Sequence, residues 1–461
     1  MSFVIVLAAL AFPMFVAYRG FSVIMFAPVA AMGAVLLTDP SLVAPVFSGI
    51  FMERMVGFVK LYFPVFLLGA IFGKVIELSG FSKSIVASVV QIVGAQRAIA
   101  SIMLVCAILT YGGVSLFVVV FAVYPFAAEM FRQVGIPKRL IPGPIALGAF
   151  AFTMDSLPGT PQIQNIIPTA FFKTTTWAAP WLGVIGALFI AILGLGYMEY
   201  RRRQALGRGE GYGSHVRNEP AALDQERPAH PAVAILPLIV VGVANKIFTD
   251  WVLAHYGKSA TFSLIGRSIK IDISGTAAIW GVEAALLLGI LTVVLFAFHS
   301  VRAQFAEGTK AAVAGSLLAS MNTASEYGFG AVIAALPGFL LIASALHAIP
   351  NPLVNEAISV TALAGITGSA SGGMSIALAT MADTFIQNAQ AAHIPSEVLH
   401  RVAAMASGGM DTLPHNGAVI TLLAVTGLTH RESYRDIFAV TVIKTLAAFF
   451  IIGVYYISGI V

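Results

Sequence analysis

The chain has 461 residues, of which 58% are hydrophobic and 10% are charged. A soluble domain carries about 25% charged residues, so this composition excludes a protein that water surrounds on all sides. The formal net charge of +5 comes from basic residues dispersed between apolar segments, which excludes the continuous basic face of a nucleic-acid-binding protein. We therefore predict a multi-pass protein of the lipid bilayer that does not bind nucleic acid.

Eight apolar segments are long enough to cross a bilayer as helices. In chain order they are roughly residues 2–17, 21–37, 56–78, 177–197, 232–248, 275–299, 311–336 and 437–460. Two longer apolar stretches, 98–172 and 353–427, are interrupted repeatedly by Gly, Pro, Asn and Asp. Because an interruption leaves backbone N–H and C=O groups that lipid cannot satisfy, we expect protein or a water-filled cavity to surround both stretches. We predict that substrate binds there.

A polar, arginine-rich segment, residues 201–231, divides the apolar chain in two. Its scattered Gly, Arg and acidic residues are typical of an exposed linker. We predict a first unit at 1–200, a cytoplasmic linker at 201–231 and a second unit at 232–461.

Three motifs of the first unit recur in the second unit in the same order. Their spacing of 256 to 260 residues is nearly constant, which indicates an internal duplication. The pairs are Met154–Pro158 with Met410–Pro414, Gly112–Ser115 with Gly372–Ser375, and Phe72–Gly73 with Phe329–Gly330.

Each unit then contains three spans, a surface segment, a hairpin, a broken helix and a last span. Five crossings is an odd number, so the second unit is predicted to be inverted relative to the first, as in many secondary transporters. The predicted fold class is an all-α integral membrane protein with two inverted repeats, about ten spanning helices and two re-entrant hairpins. With both termini outside, 16 Lys and Arg residues lie on the inner side and 6, including Arg401, on the outer side. This excess agrees with the usual enrichment of basic residues in cytoplasmic loops.

Asp155 and Asp411 occupy equivalent places in the two units, each in apolar sequence and each three residues before a proline. A carboxylate inside the membrane is costly and therefore indicates a functional site. Alternatively, each aspartate caps the half-helix that follows it, with proline in the first turn. The two interpretations are compatible, because the free N–H groups of a half-helix also form an anion site.

Neither interruption contains Lys or Arg, but both contain amides and hydroxyls. Backbone N–H groups could hold a carboxylate while these side chains bind substrate hydroxyls, which suits a hydroxylated acid. Alternatively, the side chains satisfy the broken backbone and one another. Besides the two aspartates, the predicted substrate-binding residues of the interruptions are Ser156, Gly159, Thr160, Gln162, Gln164, Asn165, Thr412, His415 and Asn416.

Small residues are predicted to form the two hairpin tips, where the backbone turns tightly or approaches a ligand closely. Alternatively, they let neighbouring helices pack closely. These further substrate-binding candidates are Gly112, Gly113 and Ser115 in the first unit, and Ser371, Gly372, Gly373 and Ser375 in the second.

Glu326 lies in an apolar span without an oppositely charged residue nearby in the sequence. A desolvated carboxylate can exchange a proton near neutral pH. We predict that Asp155, Asp411 and Glu326 couple transport to protons, with His415 as a further proton carrier. Zinc-protease, nucleophile-elbow and phosphate-loop motifs are absent from the sequence, so we expect neither an enzyme nor a metal or other cofactor.

The segments Phe152–Asn165 (FTMDSLPGTPQIQN) and Ala406–Gly417 (ASGGMDTLPHNG) resemble the two motifs of the gluconate permease (GntP) family. The resemblance extends over essentially the whole chain. It implies the fold of the ion-transporter superfamily, with scaffold helices, two re-entrant hairpins, an elevator-type movement and usually a dimer. It also implies proton-coupled uptake of gluconate or of relatives such as other sugar acids, hydroxybutyrate or D-serine.

We therefore expect a homodimeric proton symporter of a bacterial inner membrane whose substrate is a small hydroxylated monocarboxylate. A sodium-coupled carrier of the same fold is the first alternative, with backbone carbonyls and the Ser and Asn groups near the hairpin tips as ion ligands. A channel is the second alternative.

Overall fold

A computed structural model describes residues 2–19, 22–214, 217–220, 229–264, 267–339, 349–414 and 416–461, and most of these are helical. The helices of the first unit are α1 (Ser2–Tyr18), α2 (Val23–Thr38), α3 (Val43–Val46), α4 (Glu53–Leu78), α5 (Phe81–Val93), α6 (Ala98–Tyr111), α7 (Leu116–Gln133), α8 (Pro142–Ala149), α9 (Phe152–Asp155), α10 (Ile163–Phe172) and α11 (Pro180–Gly207). The described helices of the second unit are α12 (Pro231–Tyr256), α13 (Ala277–Phe296), α14 (Phe298–Ala335), α15 (Pro352–Thr367), α16 (Ala370–Ala391), α17 (Ser396–Gly408), α18 (Gly417–Thr426) and α19 (His430–Ser458).

One β-hairpin departs from the predicted all-α fold. Strands β1 (Ser259–Leu264) and β2 (Arg267–Asp272) pair antiparallel, with Ser259 opposite Asp272. The segment lies outside the apolar spans, where water can satisfy the strand edges. An ion pair of 2.8 Å between Lys173 and Asp272 links the hairpin to the end of α10.

Large apolar side chains cover the outside of the helices. Leu37, Ile192, Leu295 and Ile457 are 65 to 90% exposed, as are many others to a lesser degree. Apolar surface on this scale is unfavourable in water and is what a lipid-facing surface requires. The chain is therefore a membrane protein, as predicted.

Within the described part of the chain, five helical segments are both long and apolar enough to cross a membrane, against the predicted ten or so. They are Pro40–Leu78, Pro180–Gly207, Pro231–Tyr256, Ala277–Phe296 and His430–Ser458. Several of the remaining apolar helices have 10–17 residues, fewer than the roughly 20 that a full span needs.

Helix α14 differs from the predicted span at 311–336. It begins at Phe298 and has 38 residues, which corresponds to about 57 Å, well beyond the roughly 30 Å of a hydrocarbon core. The segment that we expected to be a loop is thus the first part of this helix. Its exposed Lys310 and Glu307 pair with each other at 2.8 Å.

The hairpin and the broken helix occur once in each unit. Helices α6, α7, α8 and α10 begin at residues 98, 116, 142 and 163, and α15, α16, α17 and α18 begin at 352, 370, 396 and 417, in each case 254 residues later. The non-helical interruptions are residues 156–162 in the first unit and, among the described residues of the second, 413, 414 and 416. In the second unit, a 3₁₀ turn at Gly409–Thr412 continues α17 up to the interruption.

The second hairpin tip lies four residues before the predicted glycine pair. Gly368 and Ser369 connect α15 to α16, with Gly368 in the left-handed conformation at φ 69°. The Ser369 hydroxyl accepts a hydrogen bond of 3.1 Å from the Gly372 N–H and thereby caps α16. Gly372 and Gly373 are therefore helical, whereas Gly112 and Gly113 do lie in the first tip.

The predicted linker is neither wholly exposed nor wholly non-helical. Arg201 belongs to α11, is buried, and pairs with Asp436 of α19 at 2.6 Å. Further along, Glu219 accepts hydrogen bonds from Lys138 at 2.6 Å and from Arg132 at 2.8 Å. These contacts attach the linker to α19, to α7 and to the turn just before α8.

We expect Glu219→Gln to release this part of the linker. Burial raises the pKa of Glu219, but hydrogen bonds from Lys138 and Arg132 outweigh it, so the pKa lies below the usual value. A carboxyl whose pKa is lowered in the folded state stabilises that state above its unfolded pKa, and this stabilisation is lost as the pH falls through the lowered value. Near neutral pH, trypsin should therefore cleave the linker faster in Glu219→Gln than in the wild type.

The matched control is Glu307→Gln, which removes an exposed pair on α14 and should leave the cleavage rate unchanged. Equal rates for both variants would contradict the docking role of Glu219.

Candidate functional site

Asp411 joins three of the predicted elements. Its Oδ2 accepts a hydrogen bond from Gln164 of α10 at 2.7 Å. Its Oδ1 accepts one from the backbone N–H of Ala370, at the start of α16, at 3.0 Å, and one from Asn416 at 3.3 Å. The first turn of α10, the second interruption and the second hairpin tip thus meet at one buried carboxylate. We call Asp411, Gln164, Asn416 and the segment Gly368–Gly372, which comprises the tip and the first residues of α16, the central cluster.

The aspartates do not cap the half-helices that follow them, contrary to one of the two interpretations. Asn416 caps α18 by accepting a hydrogen bond of 2.7 Å from the Ala418 N–H. Asp411 instead caps α16 of the neighbouring hairpin. Asp155 is the last residue of α9, and α10 begins only after Gln162, without a side-chain cap. We had assumed that each half-helix begins directly after its aspartate, but several non-helical residues separate each aspartate from the next helix.

A buried ion pair connects Asp155 to the last helix of the chain. The Lys444 Nζ of α19 lies 2.9 Å from Asp155 Oδ2, and both side chains are 1% exposed. Lys444 also donates to the carbonyl oxygens of Phe150, at 2.8 Å, and of Gly408. The sequence analysis gave Lys444 no role, although a lysine within an apolar span requires a partner.

Arg401 is fully buried, whereas the sequence analysis placed it on the outer surface. Its guanidinium donates to the Asp155 carbonyl at 2.8 Å, to Asn165 Oδ1 at 3.1 Å and to the Ala178 carbonyl at 2.7 Å. His400, which also received no role, contacts Asn165 Oδ1 through Nε2 at 3.2 Å. Arg401 of α17 thus satisfies the Asp155 carbonyl at the end of α9 and the Ala178 carbonyl just before α11.

Glu326 of α14 faces the first turn of α16. It is 9% exposed, and its Oε2 has no hydrogen-bond partner among the described residues. A Cβ at Gly372 would collide with this carboxylate. Beside it lies a cavity of about 10 Å³, which has room for about one water, lined also by Phe329, Thr367 and residues of α1 and α2. Asp411 and Glu326 therefore both lie at the positive end of the α16 dipole.

Several of the other predicted residues hydrogen-bond to protein groups outside the central cluster. Gln162 donates to the Thr110 carbonyl beside the first hairpin tip at 2.7 Å, and Thr412 contacts the Thr441 hydroxyl at 2.7 Å. Ser156 donates to Asp155 Oδ1 at 2.6 Å. The residues Gly112, Gly113, Gly159, Thr160, Ser371 and Ser375 are buried, Ser115 is partly buried, and His415 lies outside the described residues.

Gly373 has the role that we gave as the alternative for the small residues, close packing of neighbouring helices. A Cβ at this position would collide with the Ala364 backbone, so the glycine lets α15 and α16 pack closely. Helix packing, and not ligand approach, therefore explains this residue of the predicted set.

Glu356 of α15 is a buried acidic residue that the sequence analysis missed. Its side chain is 0% exposed, and neither carboxylate oxygen has a hydrogen-bond partner within the described ranges. The signal was available, because this acidic residue follows closely on the start of the apolar stretch at 353.

A cavity of about 410 Å³ lies at the end of α10, apart from the central cluster. Its lining includes Lys173, Thr174 and Lys258. Thr174 also contacts His400 Nδ1 at 2.7 Å, so this cavity adjoins the polar groups around Arg401.

A lipid-facing helical bundle whose interrupted helices meet at buried carboxylates has the architecture of a polytopic membrane transporter. The chain is 60% identical over 472 residues to the uncharacterized transporter YxjC of Bacillus subtilis (strain 168), and the alignment covers 100% of both chains. The chain therefore belongs to the same transporter family as YxjC. No protein-family model matches it.

Among solved structures, the YdaH transporter of Alcanivorax borkumensis is similar, with 15% identity, 88% of each chain covered and a TM-score of 0.48. The predicted membership of the gluconate permease family stays a prediction.

Replacing one partner of the Asp155–Lys444 pair leaves an uncompensated buried charge, which costs about 3–5 kcal/mol. We expect Asp155→Asn and Lys444→Met each to lower the apparent Tm of the solubilised protein. The double variant should recover most of the loss, because neither charge then remains. A double variant that is less stable than both single variants would contradict mutual compensation.

Gly408→Ala should destabilise the protein, because the added methyl group would collide with the Asp155 carboxylate. Overpacking of this kind costs about 1–3 kcal/mol. Gly315→Ala on α14 is the control, since a Cβ there meets nothing within 4 Å. Equal apparent Tm values for the two variants would show that Asp155 can move away from Gly408 freely.

Proposed function

We propose that the protein is a proton-coupled symporter of a small hydroxylated monocarboxylate, such as gluconate, a related sugar acid or hydroxybutyrate. The observation that supports this most directly is the central cluster. There a titratable carboxylate, Asp411, occupies the N-terminal amide end of α16, which is also the kind of group that binds a substrate carboxylate.

We further propose that the two units are inverted repeats. The constant spacing of 254 residues between corresponding helix starts supports a duplication. The packing of α4 against α14 supports it as well, because Gly73 of α4 approaches Val114 of the first hairpin and Gly330 of α14 approaches Ile376 of the second.

In this proposal the substrate carboxylate binds the first N–H groups of α16. The amides of Gln164 and Asn416, together with the hydroxyl of Ser371, then contact the substrate hydroxyls. The neutral amides suit a polyhydroxylated molecule, and the backbone N–H groups suit its single negative charge.

Substrate binding requires the central cluster to open. The cavity beside Glu326, about 10 Å³, is much smaller than a sugar acid. The Gln164–Asp411 bond crosses the place where the two interruptions meet, so it must break to admit the substrate. An elevator-type movement of the hairpins and broken helices against α4, α13 and α14 is the proposed transport step.

The proposed proton carriers are Asp155, Asp411 and Glu326, with His415 as a further candidate. The proposed setting is the inner membrane of a bacterium, and the proposed assembly is a homodimer.

Proteoliposome uptake tests the coupling ion. Accumulation of radiolabelled gluconate or 3-hydroxybutyrate should follow an imposed pH gradient, inside alkaline, in the absence of sodium. Accumulation that requires a sodium gradient would favour the sodium-coupled alternative. Equilibration without accumulation under either gradient would favour a channel.

Asp155→Asn and Asp411→Asn should reduce uptake by about tenfold or more, the scale expected when a coupling carboxylate in the membrane is neutralised. Lys173→Gln is the control, since its pair with Asp272 is exposed and distant from the central cluster. Uptake is compared at matched amounts of protein in the membrane. Equal uptake by all three variants would place the aspartates outside the site.

A further inference from the structure

The N-terminus of α16 already has two carboxylates beside it. Asp411 accepts the Ala370 N–H at 3.0 Å, and the Glu326 carboxylate lies against Gly372. A helix N-terminus has a partial charge of about half an elementary charge, enough to favour one anion. A substrate carboxylate would be the third negative group at this end, so it cannot bind favourably while both side chains are ionised.

The nearby positive charge does not remove this repulsion. Lys444 attracts Asp411, whereas Asp155 and Glu326 repel it. Lys444 lies 2.9 Å from Asp155, and its charge is therefore largely compensated. The side chains that hydrogen-bond Asp411 are the neutral amides of Gln164 of α10 and of Asn416, the N-cap residue of α18.

We propose that Asp411 is a proton-operated lock on the substrate site. When ionised, Asp411 accepts the hydrogen bond of the Ala370 N–H and repels the substrate carboxylate. When protonated, Asp411 is neutral, and the Ala370 N–H donates to the substrate carboxylate instead. This inference rests on the proposed function and adds to it the residue that enforces coupling.

In this proposal one proton and one monocarboxylate cross the membrane together. One proton from the solution binds an Asp411 carboxylate oxygen, and one monocarboxylate then binds at α16, so the loaded site has the same net charge as the empty site. On the other side the anion leaves, the proton dissociates, and Asp411 caps α16 again. An ionised Asp411 and a bound anion exclude each other, which prevents uncoupled passage of the anion.

The first test uses the wild-type protein in weakly buffered solution at about pH 7.5, with gluconate and 3-hydroxybutyrate as probes. Binding is followed by calorimetry and proton uptake by a pH indicator dye. We expect uptake of about one proton per anion bound, because the anion binds only the protonated site. Binding without proton uptake would overturn the lock but leave the transporter proposal standing.

The second test is Asp411→Asn, whose neutral side chain resembles the protonated state at every pH. In the wild type, the apparent Kd should rise by up to about tenfold per pH unit once Asp411 ionises. In Asp411→Asn it should be independent of pH. The variant should also exchange substrate across proteoliposome membranes but lose accumulation driven by a pH gradient.

Asp383→Asn is the matched control, because it makes the same change at an exposed position of the same helix. It should keep the pH dependence of the wild type. If Asp411→Asn also keeps it, the lock is wrong. If the wild type binds neither probe and no other hydroxy acid raises its apparent Tm, the proposed function itself fails.

Discussion

A helix that is interrupted inside a bilayer leaves N–H and C=O groups that lipid cannot satisfy, and the architecture of this protein follows from that constraint. Each interruption finds its partners in protein. The Pro158 carbonyl accepts a hydrogen bond from Tyr111 of α6, the Gly159 carbonyl accepts one from Asn245 of α12, and the Pro414 carbonyl contacts His430 of α19. Because these partners come from other helices, neither broken helix can form its site alone.

The buried acidic residues near the two interruptions differ in whether a cation compensates their charge. The pair of Asp155 and Lys444 is compensated and connects the first broken helix to α19. Asp411 and Glu326 lie at the positive end of α16 and have no cation within ion-pair distance among the residues described. Of the three proposed proton carriers, only Asp155 therefore has a cation that compensates its charge among the described residues.

The helical hairpins, the broken helices and the buried acidic residues could be predicted from local sequence. Interrupted apolar stretches predicted both hairpins and both broken helices, which the structure contains. Asp155, Asp411 and Glu326, which we singled out as acidic residues in apolar surroundings, are all buried. These signals are local, because each depends on the chemistry of neighbouring residues. The second hairpin tip was placed wrongly because the Gly-Gly pairs at 112–113 and 372–373 suggested that these positions are equivalent. The helices after the two tips begin at 116 and 370, so the first pair precedes its helix whereas the second pair lies inside its helix.

The partners of these residues could not be predicted, because they depend on packing between distant segments. Lys444 lies 289 positions after Asp155, and Arg401 contacts a carbonyl 246 residues away. Nothing in the sequence around Arg401 distinguishes a buried arginine from one in a surface loop.

The junction between α13 and α14 limits how the molecule can move. Helix α13 ends at Phe296 and α14 begins at Phe298, so a single residue joins them, and α4 packs against both. The proposed movement therefore cannot separate α13 from α14, and any shift of α16 along α14 would carry position 372 past Glu326. A side chain at position 372 would collide with that carboxylate, so the proposed movement requires the glycine that is found there.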